Sequence, residues 1–101
     1  MSMTPAELHN RNEIDREILY YVREMQHLAP VRAESVVSFL TVSRRRKMTD
    51  REVADRLAYL VSAGLLERKI VWDGGEVEHF QIGALGMDVL DGAVPPRGWK
   101  P

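Results

Sequence analysis

Hydrophobic periodicity changes once along this chain, just after Gly64, and that change restricts the fold more than any other feature. Before Gly64, apolar residues recur at spacings of three and four, the repeat of an amphipathic helix. After it, Phe80 and Ile82 stand two apart and Asp73, Gly74 and Gly75 supply turn residues between two short apolar runs, the pattern of a β-hairpin. A chain with several helices followed by a hairpin belongs to the mostly helical α+β class.

The helical part divides at its own punctuation. Thr4, Pro5 and Glu7 make a helix start, with a hydroxyl cap, a proline at the first helical position and a carboxylate three residues after the cap. Asn12 with Asp15 is an alternative start for the same helix. Ile14, Ile18, Tyr21, Val22, Met25 and Leu28 form its apolar stripe, and Pro30 ends it. Val31 to Leu40, with Ala33, Val36, Val37, Phe39 and Leu40, predicts a short second helix covering the first. Thr41 to Lys47 reads as an exposed connection, because a charge cluster without apolar period has no reason to be buried. Thr49, Asp50 and Glu52 then repeat the capping pattern, and Val53, Leu57, Leu60 and Val61 carry a third helix to Gly64. Leu65, Leu66, Ile70, Val71 and Trp72 precede the turn and Val77, Phe80 and Ile82 follow it. Leu85, Met87, Val89 and Leu90 suggest a last short helix closing at Gly92.

At 101 residues the chain is one domain, read as residues 1–92, with the proline-rich segment 93–101 as an extended tail. Hydrophobic residues make up 45% and charged residues 29%, the balance of a globular protein rather than a disordered or membrane chain. Cysteine is absent, which excludes disulfides, thiolate metal sites and a cysteine nucleophile. No apolar run approaches the length of a membrane span and the polar start is no signal peptide, so the expected location is cytoplasmic, without membrane partners.

With 14 basic and 15 acidic residues the net charge is −1, and no general positive field surrounds the domain. Residues 44–56, however, hold six basic and three acidic groups, opening with Arg44, Arg45, Arg46 and Lys47. His9, His27 and His79 are widely separated, Ser35, Ser38, Ser43 and Ser62 lack a nucleophile-elbow setting, and there is no phosphate-binding glycine loop. No catalytic constellation, metal site or cofactor is expected.

The order of helix, short helix, capped helix, hairpin and terminal helix resembles the winged helix-turn-helix family. Thr49 to Leu66 (TDREVADRLAYLVSAGLL) is similar to that family's recognition helix running into its first wing strand, and Phe80 to Leu90 (FQIGALGMDVL) to its second wing strand and closing helix. The closing GMDVLDG with a proline-rich tail also resembles small proteins of Mu-type phage and prophage clusters. The winged-helix resemblance implies double-stranded DNA as partner and a small transcriptional regulator as function, with the third helix in the major groove. The residues that would serve are Arg44, Arg45, Arg46 and Lys47 on phosphates, with Thr49, Arg51, Asp55, Arg56 and Tyr59 along the third helix. Placing Val53 at the centre of the buried stripe puts Arg51, Asp55, Tyr59 and Ser62 on the outward side, with Glu52 beside them. One arginine there stands against two carboxylates, and the wing tip carries Asp73 and Glu76, with Glu78 following on the second strand, where phosphate contacts need cations; only Arg68 and Lys69 at the hairpin's start could supply them. The alternative is a winged helix that contacts protein through its acidic wing or N-terminal helix. A homodimer through the first or last helix is a further expectation, with Tyr20 off the main stripe; Trp99 in the tail is read as either disordered or an anchor docking on a neighbouring surface.

Overall fold

Helix α1, Pro5–Met25, begins where the Thr4 hydroxyl oxygen accepts the Glu7 N–H at 3.2 Å, so the Thr4 start is used and the one at Asn12 is not. In the computed structural model, which describes residues 3–92, α1 is the long brace on which the other elements rest. It ends at Met25, short of Pro30, because the Met25 carbonyl accepts the N–H groups of both Leu28 and Ala29 and closes the helix in a turn. Leu28, expected on the apolar stripe, is exposed for that reason, and Leu19 takes a place in the core.

Helix α2, Ala33–Ser38, runs directly into one wide π-helical turn, Phe39–Ser43. The Arg44 N–H bonds to the Phe39 carbonyl at 3.1 Å, the Arg46 N–H to the Leu40 carbonyl at 2.8 Å, and the Thr41 hydroxyl donates to the Val37 carbonyl at 2.8 Å. The connection expected over Thr41 to Lys47 is therefore helical as far as Ser43. Tyr21 stacks on Phe39 with ring centroids 4.4 Å apart, fixing this turn against α1.

Helix α3, Asp50–Ser62, has both bonds of a capping box: Glu52 N–H to the Thr49 hydroxyl at 3.1 Å, and Thr49 N–H to the Glu52 carboxylate at 3.0 Å. Thr49→Ala removes the first of these and is expected to lower stability by about 1 kcal/mol, measured by urea unfolding. At the other end Gly64 adopts φ +78°, with its N–H on the Val61 carbonyl and the Leu65 N–H on the Leu60 carbonyl. This left-handed closure, which favours glycine, turns the chain abruptly into the hairpin.

Strands β1, Leu66–Trp72, and β2, Glu76–Ile82, pair antiparallel from Leu66 opposite Ile82 to Trp72 opposite Glu76. Val31, between α1 and α2, bridges to Phe80 and accepts its N–H at 2.8 Å, while the Gln26 side-chain oxygen accepts the Ile82 N–H at 2.8 Å. Helix α4, Ala84–Leu90, returns to pack on α1. One core joins them all: Ile14, Ile18, Leu19 and Val22 of α1 meet Val36 and Leu40, then Val53, Leu57 and Leu60 of α3, and Leu65, Leu66, Phe80 and Val89. The described chain is thus α+β, four helices with a two-stranded antiparallel sheet. The tail 93–101, including Trp99, lies outside the described residues.

Candidate interaction surfaces

The cationic run divides its four side chains among different tasks. Arg46 points inward and forks onto α1, donating to Glu17 at 2.5 and 3.3 Å and to the Asn10 side-chain oxygen at 2.9 Å, with Glu13 at 3.6 Å. The hydrogen bond to Glu17 raises its pKa above the ordinary arginine value, against a smaller opposing effect of burial. A raised pKa means this contribution is present below the ordinary value and lost only as pH rises through the higher one, so Arg46 stays charged throughout the working range. Arg44 lies over the Phe39 ring, 5.4 Å from its centroid. Arg45 holds a left-handed backbone, φ +53°, and with Lys47 is exposed. Arg44, Arg45 and Lys47 thus reach solvent, and Arg46 joins the turn before α3 to α1.

The five members of the set implied by the winged-helix resemblance that lie along α3 separate again. Thr49 is the cap, and Arg51 and Asp55 are exposed. Arg56 makes a two-pronged pair with Asp15 of α1, at 2.9 and 2.5 Å, and Asp15 has no solvent exposure. Tyr59 is half-buried, its ring 4.5 Å from the Arg56 guanidinium and 5.9 Å from that of Arg11. Arg56 and Tyr59 therefore tie α3 to α1 rather than facing outward. Spacing within α3 could not reveal this, because the partners lie 41 and 48 residues earlier in the chain.

What α3 does present outward is acidic: Asp50, Glu52 and Asp55 against Arg51. The hairpin continues that sign, with Glu67, Asp73, Glu76 and Glu78 exposed against Arg68 and Lys69. Between α3 and the hairpin runs a groove of about 350 Å³ floored by Ala54, Ala58, Leu57, Val61 and Phe80, with the Arg68–Glu78 pair at its rim, 3.4 Å apart. Beyond that rim the hairpin becomes an arm. Ile70 is 57% and Trp72 80% exposed, on the strand face that carries Leu66 into the core at the arm's root. Sequence reading found these residues as strand formers; that the core stops at Phe80 and leaves the outer half of the arm uncovered is a tertiary fact.

On α1, Glu13, Arg16, Glu17, Tyr20 and Arg23, with Arg44 and Leu90, line an open depression of about 490 Å³. Arg23 covers the Tyr20 ring at 5.6 Å and reaches Asp91 at 3.6 Å. His9 has a companion one helical turn on, Glu13 at 3.0 Å, an exposed pair. Among the described residues no group of three or more His, Cys, Asp or Glu is arranged so that it could hold a metal ion, and no helix is long and apolar enough to cross a membrane. Comparison with protein-family models and with curated proteins finds no match.

Proposed function

We propose that this chain is a winged helix-turn-helix domain that acts as a protein-contact module, with the hairpin arm and the adjoining α3 groove as its contact surface. The element order supports the fold: α1, a bridging strand residue at Val31 beside β2, α2, α3, and then the wing β1–β2. The observation that carries the function is the character of the surface a DNA-reading wing and helix would use. It is acidic, and along the outer half of β1 apolar, with Trp72 and Ile70 standing in solvent. Duplex DNA repels the first property, and large exposed apolar side chains rimmed by charge are what a protein partner buries.

A second reading keeps duplex DNA as partner and a transcriptional regulator as function, and is favoured by one observation: Arg44, Arg45, Lys47 and Arg51 are all exposed at the start of α3. Phosphate contacts by Arg44, Arg45 and Lys47 would give a salt slope of roughly −2.7, at about −0.9 per contact. A fluorescence-anisotropy titration with mixed-sequence duplex at low and moderate salt decides between the two. The contact-module reading expects no salt-dependent association at low salt. Steeply salt-sensitive binding that disappears when Arg44, Arg45 and Lys47 become alanine would replace it with the DNA reading.

A further inference from the structure

The strand β1 has one side bonded to β2 and one side open. Phe80 and Ile82 send their N–H groups away from β1, to Val31 and Gln26, so their opposite numbers Arg68 and Leu66 also point their backbone groups outward. By the alternation of an antiparallel ladder, Ile70 and Trp72 do the same. Among the described residues nothing bonds to the outward groups of Arg68, Ile70 or Trp72. An open strand edge carrying Ile70, Val71 and Trp72 is a template for another strand, and natural edges are ordinarily blunted against it. The outer margin of β2 is blunted: Val31 and Gln26 cover its root, and Glu76 and Glu78 stand towards its tip. On β1 the charges Glu67, Arg68 and Lys69 guard only the inner half, and the outer half from Ile70 to Trp72 carries neither charge nor covering segment.

We propose that this edge pairs with the same edge of a second copy of the chain, antiparallel, with Val71 on the two-fold axis. This rests on the reading of the arm as the contact surface and names its occupant. The charge pattern selects the partner and the register. Centred on Val71, the pairing sets Lys69 against the partner's Asp73, Ile70 against the partner's Trp72, and Val71 against the partner's Val71. Centred on Lys69, it opposes two lysines; centred on Ile70, it opposes Glu67 to the partner's Asp73. Of these three centres only Val71 opposes no like charges: Lys69 meets the partner's Asp73, the apolar residues meet one another, and Arg68 falls opposite the partner's Gly74; such cross-strand pairs are the unit of sheet stabilisation. The same pairing turns the ladder groups of Ile70 and Trp72 into bonded ones and covers the two most exposed apolar side chains of the arm.

Sedimentation of the full chain across micromolar concentrations is expected to show a species of twice 11.5 kDa. Because the chain lacks cysteine, a single introduced thiol reports its own symmetric neighbour. Val71 would be a non-hydrogen-bonded pair with Cα atoms about 4.5 Å apart, within disulfide reach. Val71→Cys is therefore expected to cross-link on mild oxidation well ahead of Ile70→Cys, which is out of register, and Leu28→Cys, exposed elsewhere. Ile70→Pro removes an outward N–H without touching the bonds to β2, so the dimer should be lost with the circular dichroism unchanged. Lys69→Asp should weaken the dimer roughly tenfold by turning two opposite-charge pairs into like-charge ones, and Lys69→Asp with Asp73→Lys should restore it. Only an 11.5 kDa species at every concentration, with Val71→Cys no faster than Leu28→Cys, overturns the proposal. If that monomer also ignores duplex DNA, a different protein occupies the arm; if it binds duplex with steep salt dependence, the contact-module reading falls too.

Discussion

Replacing Arg56 with methionine is expected to remove roughly 3 kcal/mol of stability, and up to 5, because it strips the cation from a carboxylate that has no contact with solvent. At roughly 4–8 °C per kcal/mol for a domain of this size, the thermal midpoint should fall by at least about 12 °C. Part of the Arg56 side chain reaches water, which places the expected value at the lower end. Removing both charges behaves differently: Asp15→Leu with Arg56→Met exchanges a desolvated ion pair for hydrocarbon and should recover part of the loss, the remainder reporting the contacts Asp15 makes beyond Arg56. Thermal unfolding followed by circular dichroism on the two single variants and the double separates the cases. An Arg56→Met midpoint within a few degrees of the parent would mean that other groups around Asp15 hold its charge.

Gly86→Ala should cost a comparable amount for a different reason. A methyl group at this position would lie 2.2 Å from the Leu65 carbonyl oxygen and 2.7 Å from Ile82 Cδ1. The Leu65 carbonyl cannot retreat freely, since it accepts the Gly83 N–H at 3.0 Å and belongs to a fully buried residue. Overpacking against fixed backbone gives a loss of roughly 3 kcal/mol, by separation of α4 from the root of β1. Helix propensity alone predicts the opposite sign, a gain of up to about 1 kcal/mol for alanine over glycine inside a helix. Urea unfolding therefore reads the close approach directly, and a stabilised Gly86→Ala protein would contradict it.

Those two sites also mark where sequence reasoning stopped. What depends on neighbours within one helical turn was legible: the Thr4 and Thr49 caps, the glycine closure at Gly64 and the turn at Asp73 to Gly75 all stand where their side-chain chemistry puts them. What depends on partners far along the chain was not. Arg46 looks like one of four equivalent solvated cations until Glu17, 29 residues earlier, is brought beside it. In the helical projection Arg56 falls on the flank of α3 and Tyr59 on its outward side, and only the crossing of α1 decides that both are covered. The π-helical turn at Phe39–Ser43 has no local signature either; it follows from the stacking of Phe39 on Tyr21 and from the bonding of the Arg44 and Arg46 N–H groups back into the preceding turns. The candidate surface was half legible in the same sense. The acidity of the wing is written in its residues, whereas the bareness of Trp72 depends on where the core runs out.

The bond from Phe80 to the Val31 carbonyl has a consequence for assembly size. A ribbon that can grow on both margins adds copies without limit, the geometry of a fibre; one already sealed along one margin stops once its remaining margin is met. With Val31 and Gln26 seated on β2, joining two arms leaves no third berth at their roots. The protein can therefore keep a sticky arm in solution and still end as a finite particle.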